Sequence, residues 1–494
     1  MEDYNILIKK RFEKVEELKK KGIKLFKYNF DKEQDIAQIQ SEYKDVKDEQ
    51  TGYTKTAGRL MIKRIHGKSG FADLKDDSGK IQLYFRKDFI GEDQYDLFKI
   101  LDIGDIIGVE GTLFRTKTGE LTVVVKNFEL LTKSLRPLPE KFHGLQDKEL
   151  RYRQRYLDLI VNNNVRETFR KRSRIISFIR RYMEKNGYME VETPVLQKIY
   201  GGGEASPFKT FHNKLDSELY MRIALETYLK RLIVGGYEKV FEMGRVFRNE
   251  GMDRNHNPEF TMLEFYAAYH DLYDMMDFTE NLIKETIKEI GIELDKLEYE
   301  DRVIDLSGNW EKLSMIDAIK KYADIDIKKY KNKELIDILK KEEELENEDL
   351  TEGEIIFELF DVYVEPKLIN PTFITDYPID VSPLAKKKRN DNGTKFVERF
   401  ELFINGWEFA NAYSELNDPI EQEKRLKKQE EKFNEGKEET DRLDEDFIRA
   451  LQYGMPPTGG VGIGVDRLIM LLTNSRTIKD VLFFPHMKDE GINQ

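Results

Sequence analysis

The chain has 494 residues, of which 39% are hydrophobic and 36% are charged, and its formal net charge is −12. This length exceeds what one hydrophobic core usually organises, so we expect two or three domains. No segment approaches the roughly 20 apolar residues that span a bilayer, and the N-terminus has a charged amphipathic pattern rather than that of a secretory signal. Both features predict a cytoplasmic protein without a membrane anchor.

Cysteine is absent from the sequence, which excludes disulfides and thiolate-bound zinc. A metal would have to sit on carboxylates or on some of the six histidines, and carboxylates favour Mg²⁺. Phosphate neutralisation drives nucleic-acid binding, so the net acidity argues weakly against such a partner, and we expect no DNA partner. This argument is weaker for residues 1–150, which carry 29 basic and 27 acidic side chains and are therefore not acidic.

The N-terminal pattern predicts a helical extension over residues 1–50 and a small β domain over residues 51–135. Five short alternating runs, separated by Gly and Asp-Ser-Gly turns, favour a small barrel. Two interpretations stay open: any small β domain, or an OB-fold, whose exposed face stacks single-stranded bases on aromatic rings. Phe71, Tyr84 and Phe85 are candidates for stacking or for the core, and periodicity alone does not separate these roles.

Prolines in the segment LRPLPEKF interrupt regular structure and predict a linker over residues 136–163. A second domain is expected over residues 164–494. It begins with a long helical pattern that leads into the strand-like YMEVETPVL, where Pro194 follows the strand. Two highly charged helical patterns predict a helical insertion around residues 274–350.

The segment FRNEGMDRNHNPEFTMLEFY, residues 247–266, alternates like a pair of strands but carries charges where core residues would be expected. Successive strand side chains point to opposite faces, so Arg248 and Glu250 share one face with Glu242 and Val246. The matching face of the second strand carries Phe260, Met262, Glu264 and Tyr266. A salt-bridged sheet face would explain these charges, but the same groups also fit an anionic, purine-bearing substrate with an amine partner.

A second hairpin, ERFELFINGWEFANAYSELND, is centred on Asn405-Gly406, a strong hairpin signal. The turn fixes a predicted register, which pairs Ile404 with Trp407, Phe403 with Glu408 and Glu401 with Ala410. Glu401 and Glu408 then lie on one face, where they can share a hard cation while a nucleotide supplies further oxygens. Strict alternation puts on the opposite face Asn411, Tyr413 and Glu415.

Near the C-terminus, TGGVGIGVDRLIM runs from a Gly-rich strand into a helix predicted to start near Asp466. Glycines let a ligand approach the backbone closely, and Arg467 at the helix start could reach a phosphate. Alone the pattern is weak, because Gly-rich turns into helices are common.

Three segments, YMEVETPVL, FRNE…HNPEFTMLEFY and GGVGIGVDRL, resemble the signature motifs of class II aminoacyl-tRNA synthetases in order and spacing. GGGEASPF, MRIALETYLKRLIVGG, YPIDVSPLAK and ANAYSELND resemble the lysyl-tRNA synthetase family closely, and the likeness runs from about residue 50 onward. It implies an α+β protein with an N-terminal OB-fold β-barrel that binds the anticodon, followed by a class II catalytic domain whose antiparallel sheet is flanked by helices. It also implies a homodimer formed through the first motif around Pro194.

The resemblance implies a lysine–tRNA ligase, in which lysine and ATP form lysyl-adenylate and pyrophosphate and the lysyl group then moves to the 3′ end of tRNA(Lys). No covalent enzyme intermediate is needed. Positioning and charge stabilisation would supply most of the catalysis as the lysine carboxylate attacks the α-phosphorus in line. Mg²⁺ is the implied cofactor, with more than one ion per active site.

Residues from all these motifs take an implied role in ATP binding: Arg248, Glu250, His256, Phe260, Glu401, Glu408 and Arg467. Of these, Arg248 and Arg467 are the implied catalytic residues, and Phe260 would stack on adenine. Glu401 and Glu408 would bind Mg²⁺, in agreement with their shared face.

Lysine binding is implied for a second set: Gly202, Glu226, Glu264, Tyr266, Asn411, Tyr413 and Glu415. Glu226 and the Gly202 backbone would take the α-amino group, while Glu264, Tyr266 and Glu415 would surround the ε-ammonium. Burying an ammonium requires paired acids, and an uncharged isostere would leave those acids unsatisfied. On the barrel, the resemblance implies that the U-rich lysine anticodon is read by Phe71, Gln82 and Glu120.

Two features depart from the family pattern. Strict alternation turns Glu408 away from Asn411 and Glu415, although the family places all three at one site, so we predict a bulge near Phe409–Ala410 or a twist of the strand. In the loop DRNHNPEF, Asn255 stands where some family members have a basic residue. We therefore expect Arg254 to make the phosphate contact instead of residue 255.

Rival interpretations differ in the pocket or in the chemistry. An aspartyl- or asparaginyl-specific synthetase shares the barrel and the three motifs, but its pocket must pair a carboxylate or an amide, which Glu226, Glu264 and Glu415 oppose. A non-catalytic or tRNA-independent relative, which modifies a protein or acts as an RNA-binding module, would be expected to lack the barrel or a catalytic arginine. A simple OB-type binding protein leaves about 340 residues unexplained.

Overall fold

The computed structural model describes residues 2–47, 50–139, 147–203, 205–341, 350–389, 395–434 and 442–488. The chain divides into two compact units, Met1–Gln146 and Asp147–Gln494. The second unit begins inside the segment predicted as a linker, where the described residues form two short helices. None of the helices in these ranges is long and apolar enough to cross a membrane.

The described part of the first unit holds helices around a closed barrel. Its elements, in chain order, are α1 (Glu2–Lys20), α2 (Ile36–Glu42), β1 (Thr51–His66), β2 (Ser69–Lys75), β3 (Lys80–Arg86), α3 (Lys87–Ile90), α4 (Glu92–Ile100), β4 (Ile106–Arg115) and β5 (Leu121–Thr132). The strands close in the order β1-β2-β3-β5-β4, so the predicted five-stranded barrel is confirmed. Closure leaves no free sheet edge between these strands.

Alternation along the barrel strands decides which aromatic rings are core. In β3 the residues Ile81, Leu83 and Phe85 are buried, and the Phe85 ring stacks on Phe98 of α4 with centroids 3.9 Å apart. Phe85 is therefore a core residue. Tyr84 points to the other face, where it remains partly exposed.

The second unit is built around one large sheet. Its elements are α5 (Lys148–Arg153), α6 (Arg155–Val161), α7 (Asn163–Lys185), β6 (Met189–Glu190), β7 (Leu196–Gln197), β8 (Lys209–His212), β9 (Ser217–Met221), α8 (Glu226–Val234), β10 (Lys239–Phe247), β11 (Glu259–Ala268), α9 (Leu272–Glu289), β12 (Leu297–Tyr299), β13 (Arg302–Ile304), β14 (Glu311–Ser314), α10 (Met315–Ala323), α11 (Asn332–Leu339), α12 (Glu352–Tyr363), β15 (Thr372–Pro378), β16 (Phe396–Ile404), β17 (Trp407–Ser414), α13 (Pro419–Asn434), α14 (Glu445–Gln452), β18 (Thr458–Gly464), α15 (Val465–Leu472) and α16 (Ile478–Val481). Single 3₁₀ turns occupy Ile327–Lys329, Glu365–Lys367 and Ile379–Val381.

Eight strands form the sheet in the order β14-β15-β16-β17-β18-β11-β10-β6. The pairs from β15 to β10 are antiparallel, and only the outermost pairs of this sheet, β14 with β15 and β6 with β10, are parallel. One face packs its alternate apolar residues against α7, α9 and α15 in the largest core cluster. The polar residues of the same strands therefore collect on the opposite face.

The predicted helical insertion around residues 274–350 is only partly helical. It contains α9, α10 and α11, but three short strands lie among them, and β14 joins the edge of the main sheet. Strand β14 was not predicted, because a strand of four residues, EKLS, is too short to show alternation within a charged segment with helical periodicity. Residues 342–349 of the predicted insertion lie outside the described residues.

Candidate active site

A cavity of about 330 Å³ lies over the polar face of the sheet. All but one of the residues predicted for ATP and lysine binding line it: Gly202, Glu226, Arg248, Glu250, His256, Phe260, Glu264, Tyr266, Glu401, Glu408, Asn411, Tyr413 and Arg467. The exception is Glu415, which is buried and whose Oε1 lies 2.2 Å from where a Cβ on Gly460 would stand. Because Gly460 itself lines the cavity, Glu415 lies beside a residue of the cavity wall.

Strands β10 and β11 supply one wall. Their register pairs Val246 with Phe260 and Glu242 with Glu264, so the predicted common face is confirmed. Glu242 nevertheless faces Arg222, whose Nη1 donates to its Oε1 over 2.6 Å, and it serves as a structural ion pair. The strand interpretation of Arg248 and Glu250 is wrong, because β10 ends at Phe247 and both residues belong to the loop that follows.

Arg248 keeps its place despite the end of the strand. Its amide still donates to Pro258 O over 2.9 Å, which extends the hairpin pairing by one residue. The guanidinium lies over the Phe260 ring, 5.3 Å from the centroid. An arginine and an aromatic face therefore stand side by side at the cavity wall, as a nucleotide phosphate and base would require.

The hairpin of β16 and β17 contains the predicted bulge. Phe403 pairs with Glu408, as predicted, but Leu402 pairs with Ala410, so Phe409 is an extra residue. The predicted pairing of Glu401 with Ala410 is wrong, and Glu401 stands opposite Asn411. Since the extra residue shifts the alternation by one, Glu408 and Asn411 both reach the cavity.

The Gly-rich strand β18 forms the floor between β11 and β17. Gly460 stands opposite Tyr266 on one side and Tyr413 on the other, and Gly462 stands opposite Glu264 and Asn411. A Cβ on Gly460 would lie 2.4 Å from the Tyr266 ring. Glycine is required here because any larger residue would displace the side chains beneath the cavity.

Helix α15 carries Arg467 to the cavity, as the sequence predicts. Its neighbour Asp466 is buried, accepts a hydrogen bond from the Thr261 amide over 2.7 Å and pairs with Arg172, which fixes the helix start. Arg467 Nη1 donates to Glu408 O over 2.8 Å, and its Nη2 donates to His256 Nε2 over 3.0 Å.

The imidazole of His256 links this arginine to the loop between β10 and β11. Because Arg467 can only donate, His256 Nε2 is the acceptor, and Nδ1 carries the proton that is donated to Asp253 Oδ2 over 2.7 Å. Within the same loop Asn255 lines the cavity. Arg254 is not among the lining residues, and its guanidinium pairs with Glu300 and Arg476 O, so this geometry does not support the expected phosphate contact from Arg254.

Three buried acids mark one end of the cavity: Glu226 and Glu264 line it, and Glu415 lies beside Gly460 of its wall. Glu264 Oε1 accepts from the Leu225 amide over 2.9 Å, and the Tyr266 hydroxyl donates to its Oε2 over 3.2 Å. Burial raises the pKa of Glu264 to about 8, and Glu226 adds to that rise. Burial likewise raises the pKa of Glu415 to about 8. These carboxyls are therefore poised to lose a proton when a cation arrives.

A second cluster of carboxylates surrounds Glu401. Tyr377 donates to Glu401 Oε2 over 2.8 Å, and Arg399 pairs with Oε1, so both oxygens are oriented. Burial raises the pKa of Glu401, and Glu408 contributes to that rise. Burial, Asp361 and these two glutamates also raise the pKa of Glu365 to about 9.

The geometry of Glu401 and Glu408 fits a divalent cation that a nucleotide also holds. Both line the cavity, and their mutual repulsion is a cost that a bound cation would remove. No group of three or more His, Cys, Asp or Glu side chains in the described ranges is arranged to hold a metal. Two protein carboxylates with the other oxygens from phosphates and water is the usual arrangement for Mg²⁺.

The predicted anticodon residues lie together on the barrel. Phe71 pairs with Tyr84 across β2 and β3, and their rings stack with centroids 4.7 Å apart. Gln82 Nε2 donates to Glu120 Oε2 over 3.1 Å, and Gln82 Oε1 accepts from Thr122 over 2.9 Å. Phe71 and Gln82 are half-buried, so each offers one side to solvent.

Sequence reasoning missed three side chains at the site: Arg399, Tyr377 and Lys230. Arg399 lies two residues before Glu401 on the same strand face, so alternation could have found it. Lys230 lies one helical turn after Glu226, and the i,i+4 spacing was available in the sequence. Tyr377 comes from β15, and nothing local indicates that it reaches Glu401.

Comparison with known proteins decides the family. A sequence profile described as "tRNA synthetases class II (D, K and N)" matches residues 147–488, and one described as "OB-fold nucleic acid binding domain" matches residues 54–131. The chain belongs to the class II tRNA synthetases. The first profile covers the unit that holds the cavity, and the second covers the barrel.

Close relatives span the full length of this class II synthetase. A lysine–tRNA ligase of Staphylococcus epidermidis is 50% identical over 496 residues, covering 99% of this chain and all of the relative. Lysine–tRNA ligases of Thermoanaerobacter pseudethanolicus and Bacillus cytotoxicus are each 51% identical over 492 residues, covering 99% of this chain and 97% and 98% of the relatives.

Proposed function

We propose that this synthetase is a lysine–tRNA ligase that activates lysine with ATP and transfers it to the 3′ end of tRNA(Lys). The observation that carries the proposal is the group of buried acids at the cavity: Glu226 and Glu264 line it together with Arg248 and Arg467, and Glu415 lies beside Gly460 of its wall. Buried carboxylates call for cationic partners, and lysine has two amino groups. The names of the full-length relatives point to the same substrate.

The nucleotide takes the half of the cavity lined by Arg248, Phe260 and Arg467. Phe260 stacks on adenine, and Glu250 lies at the adenine end. Arg467 binds the phosphate tail together with His256, to which it is already hydrogen-bonded. Mg²⁺ held by Glu401 and Glu408 would neutralise phosphate charge in the same region.

Lysine takes the acidic half. Glu226 and the Gly202 backbone hold the α-amino group, and Glu264, Tyr266 and Glu415 surround the ε-ammonium. Asn411 and Tyr413 line the path between the two ends from β17. An ammonium in a buried site is favourable only when acids and hydroxyls meet it, which these residues provide.

Arg248 joins the two halves, because it lies beside Phe260 and faces the buried carboxylate of Glu264. It holds the lysine carboxylate against the α-phosphate, so that a carboxylate oxygen attacks phosphorus in line and pyrophosphate leaves. The guanidinium stabilises the charge that builds on the phosphoryl oxygens. Fixing both reactants in one cavity supplies the remaining acceleration.

The barrel face with Phe71, Gln82 and Glu120 reads the anticodon in this proposal. Stacking of a base on Phe71 contributes on the order of 1–3 kcal/mol. Gln82 and Glu120, already joined by a hydrogen bond, present a donor and acceptors to base edges.

A homodimer forms through the first motif in this proposal. The apolar residues around Pro194 are exposed in the single chain, with Met189 41%, Leu196 49% and Ile199 40% exposed. Such a patch on a lone chain favours burial against a second copy. Light scattering that gives twice the chain mass supports the dimer, and a single-chain mass contradicts it.

Pyrophosphate exchange with ATP and Mg²⁺, measured for each standard amino acid without tRNA, tests the function. Exchange with lysine alone is expected. Exchange with aspartate or asparagine would keep the family but overturn the assignment of the acidic pocket, and exchange with none would contradict the activity.

A further inference from the structure

Lys230 lies among the acids of the cavity. It is fully buried on α8, one turn after Glu226. Its Nζ contacts Glu226 Oε1 and Glu415 Oε2 at the same time. Glu226 opens α8 and Glu415 follows β17, so this single ammonium joins two separate elements.

At this end of the cavity the acidic side chains outnumber the ammonium groups. Three carboxylates, those of Glu226, Glu264 and Glu415, are each at most 5% exposed. In the described part of the chain, Lys230 is the ammonium that contacts any of them. Two further cations line the cavity: Arg248, which faces Glu264, and Arg399, which pairs with Glu401.

A bound lysine would supply the missing ammonium groups. Its α- and ε-ammonium groups, added to that of Lys230, give three ammoniums for three carboxylates. The substrate carboxylate is then left for Arg248. An ionised carboxylate buried without a cation is costly, so the two acids in excess of Lys230 favour a ligand that brings two cations and lets both acids ionise.

We propose that Lys230 is a positioning residue that fixes at two the number of positive charges the amino-acid pocket accepts. It holds Glu226 for the α-amino group and Glu415 for the ε-ammonium without touching the substrate itself. The inference rests on the proposed lysine site and names the residue that sets its charge specificity.

Exchange kinetics of Lys230→Met test the proposal, because methionine keeps an unbranched apolar chain of similar length and removes only the ammonium. The KM for lysine is expected to rise by about tenfold or more, since one carboxylate is left unpaired and two lose their anchor. The KM for ATP stays within about twofold, because the acids that Lys230 contacts, Glu226 and Glu415, belong to the lysine half.

Lys133→Met is the matched control. Lys133 is also fully buried and also pairs with two acids, Asp102 and Asp105, but it belongs to the barrel. Its loss is expected to lower stability and to leave the KM for lysine unchanged. Equal KM values for lysine in the wild type and Lys230→Met would overturn the proposal.

A second carboxylate change separates charge matching from simple packing. In the wild-type background Glu415→Gln raises the KM for lysine, because an ammonium loses its partner. In the Lys230→Met background the same change lowers it, since two carboxylates then meet two ammoniums. A rise by the same factor in both backgrounds would overturn the proposal.

The double variant also covers a failure of Lys230→Met to fold, because its empty site has two acids without an ammonium, as in the wild type, rather than three. Its KM for lysine is then compared with that of Glu415→Gln alone: a lower value supports the proposal, and a higher value overturns it. Wild-type exchange is measured in parallel. Absence of exchange with lysine in the wild type would refute the proposed function, whereas normal exchange with unaffected variants would refute only the role of Lys230.

Discussion

Two lysines with fully buried side chains, Lys133 after β5 and Lys230 on α8, each contact two acids. The two clusters differ in the ratio of ammonium groups to acids. Lys133 Nζ lies 2.7 Å from Asp102 and 2.9 Å from Asp105, and Lys14 contacts Asp102 as well, so two ammoniums meet two carboxylates. Lys230 contacts Glu226 and Glu415, and among the described residues it is the ammonium that serves a group of three buried acids. A matched cluster stabilises the fold, whereas an unmatched one is completed by a ligand.

The same contrast extends to hydrogen bonding. Asp105 accepts from the amides of Asp102 over 2.7 Å and Ser134 over 2.8 Å, so its oxygens are fully used. Neither oxygen of Glu415 accepts a well-directed hydrogen bond from a described residue, although Lys230 contacts one of them. Free acceptor capacity in a buried carboxylate is a property of a binding site rather than of a structural core.

Breaking the matched cluster should have the largest effect, and on stability alone. Asp105→Asn leaves the Lys133 ammonium without one of its two carboxylates, and breaking a buried pair costs about 3–5 kcal/mol. Chemical denaturation of the variant should show this loss. The KM for lysine in pyrophosphate exchange, measured well below the melting temperature, should be unchanged. A raised KM would contradict a purely structural role for the Lys133 cluster.

A change in the cluster around Lys230 should instead lower activity and leave stability unchanged. Glu264→Gln removes a carboxylate that the substrate ammonium needs, and kcat/KM for lysine should fall about 100-fold. The free energy of unfolding of the empty enzyme should not fall, because a buried acid with a pKa near 8 contributes no stabilising charge. A destabilised variant with a normal kcat/KM would place Glu264 with Asp105 as a structural acid.

The barrel offers a second comparison, between the half-buried ring of Phe71 and the core ring of Phe85. Phe71→Ala should weaken charging of tRNA by about 1–3 kcal/mol in kcat/KM, since it removes a stacking surface. Amino-acid activation without tRNA should be unchanged. Phe85→Ala, in the barrel core, is the matched control and should lower stability instead; equal loss of activation and charging in Phe71→Ala would indicate a folding role for Phe71.

The smallest effect expected is a pH dependence of lysine binding. Glu264 and Glu415, each with a pKa near 8 in the empty site, hold protons at neutral pH, and the arriving ammonium displaces them. Affinity for lysine should therefore rise with pH up to about 8, by at most about tenfold per pH unit for each proton released.

Calorimetry in buffers of different ionisation enthalpy would count those protons. Proton release on binding is expected near neutral pH, and Glu264→Gln should release fewer protons than the wild type. Proton uptake, or affinity that falls as pH rises toward 8, would contradict the protonated empty site.

Local patterns in the sequence predicted the five barrel strands, the two hairpins and the shared face of β11, because each depends on alternation over a few residues. The register of β17 shows where this reasoning needs help. The turn at Asn405-Gly406 fixed the first pairs, but the extra residue Phe409 displaced the pairing of Glu401 to Asn411. Only the requirement that Glu408 and Asn411 share a site indicated a bulge.

Contacts between distant segments were beyond sequence reasoning. Tyr377 reaches Glu401 from a neighbouring strand, and Arg254 turns to Glu300, 46 residues away along the chain. Likewise the contact of Lys230 with Glu415 depends on how α8 packs beside the end of β17. Each of these is decided by tertiary packing, which no local periodicity encodes.

The central claim is that the cavity selects an amino acid by two ammonium groups. Pyrophosphate exchange with lysine and with norleucine, which has the same carbon chain but lacks the ε-amino group, tests it most directly. The account predicts that kcat/KM for lysine exceeds that for norleucine by about 10⁴-fold, because norleucine brings no ε-ammonium to Glu264 and Glu415. Values for the two amino acids within about tenfold of each other would contradict it.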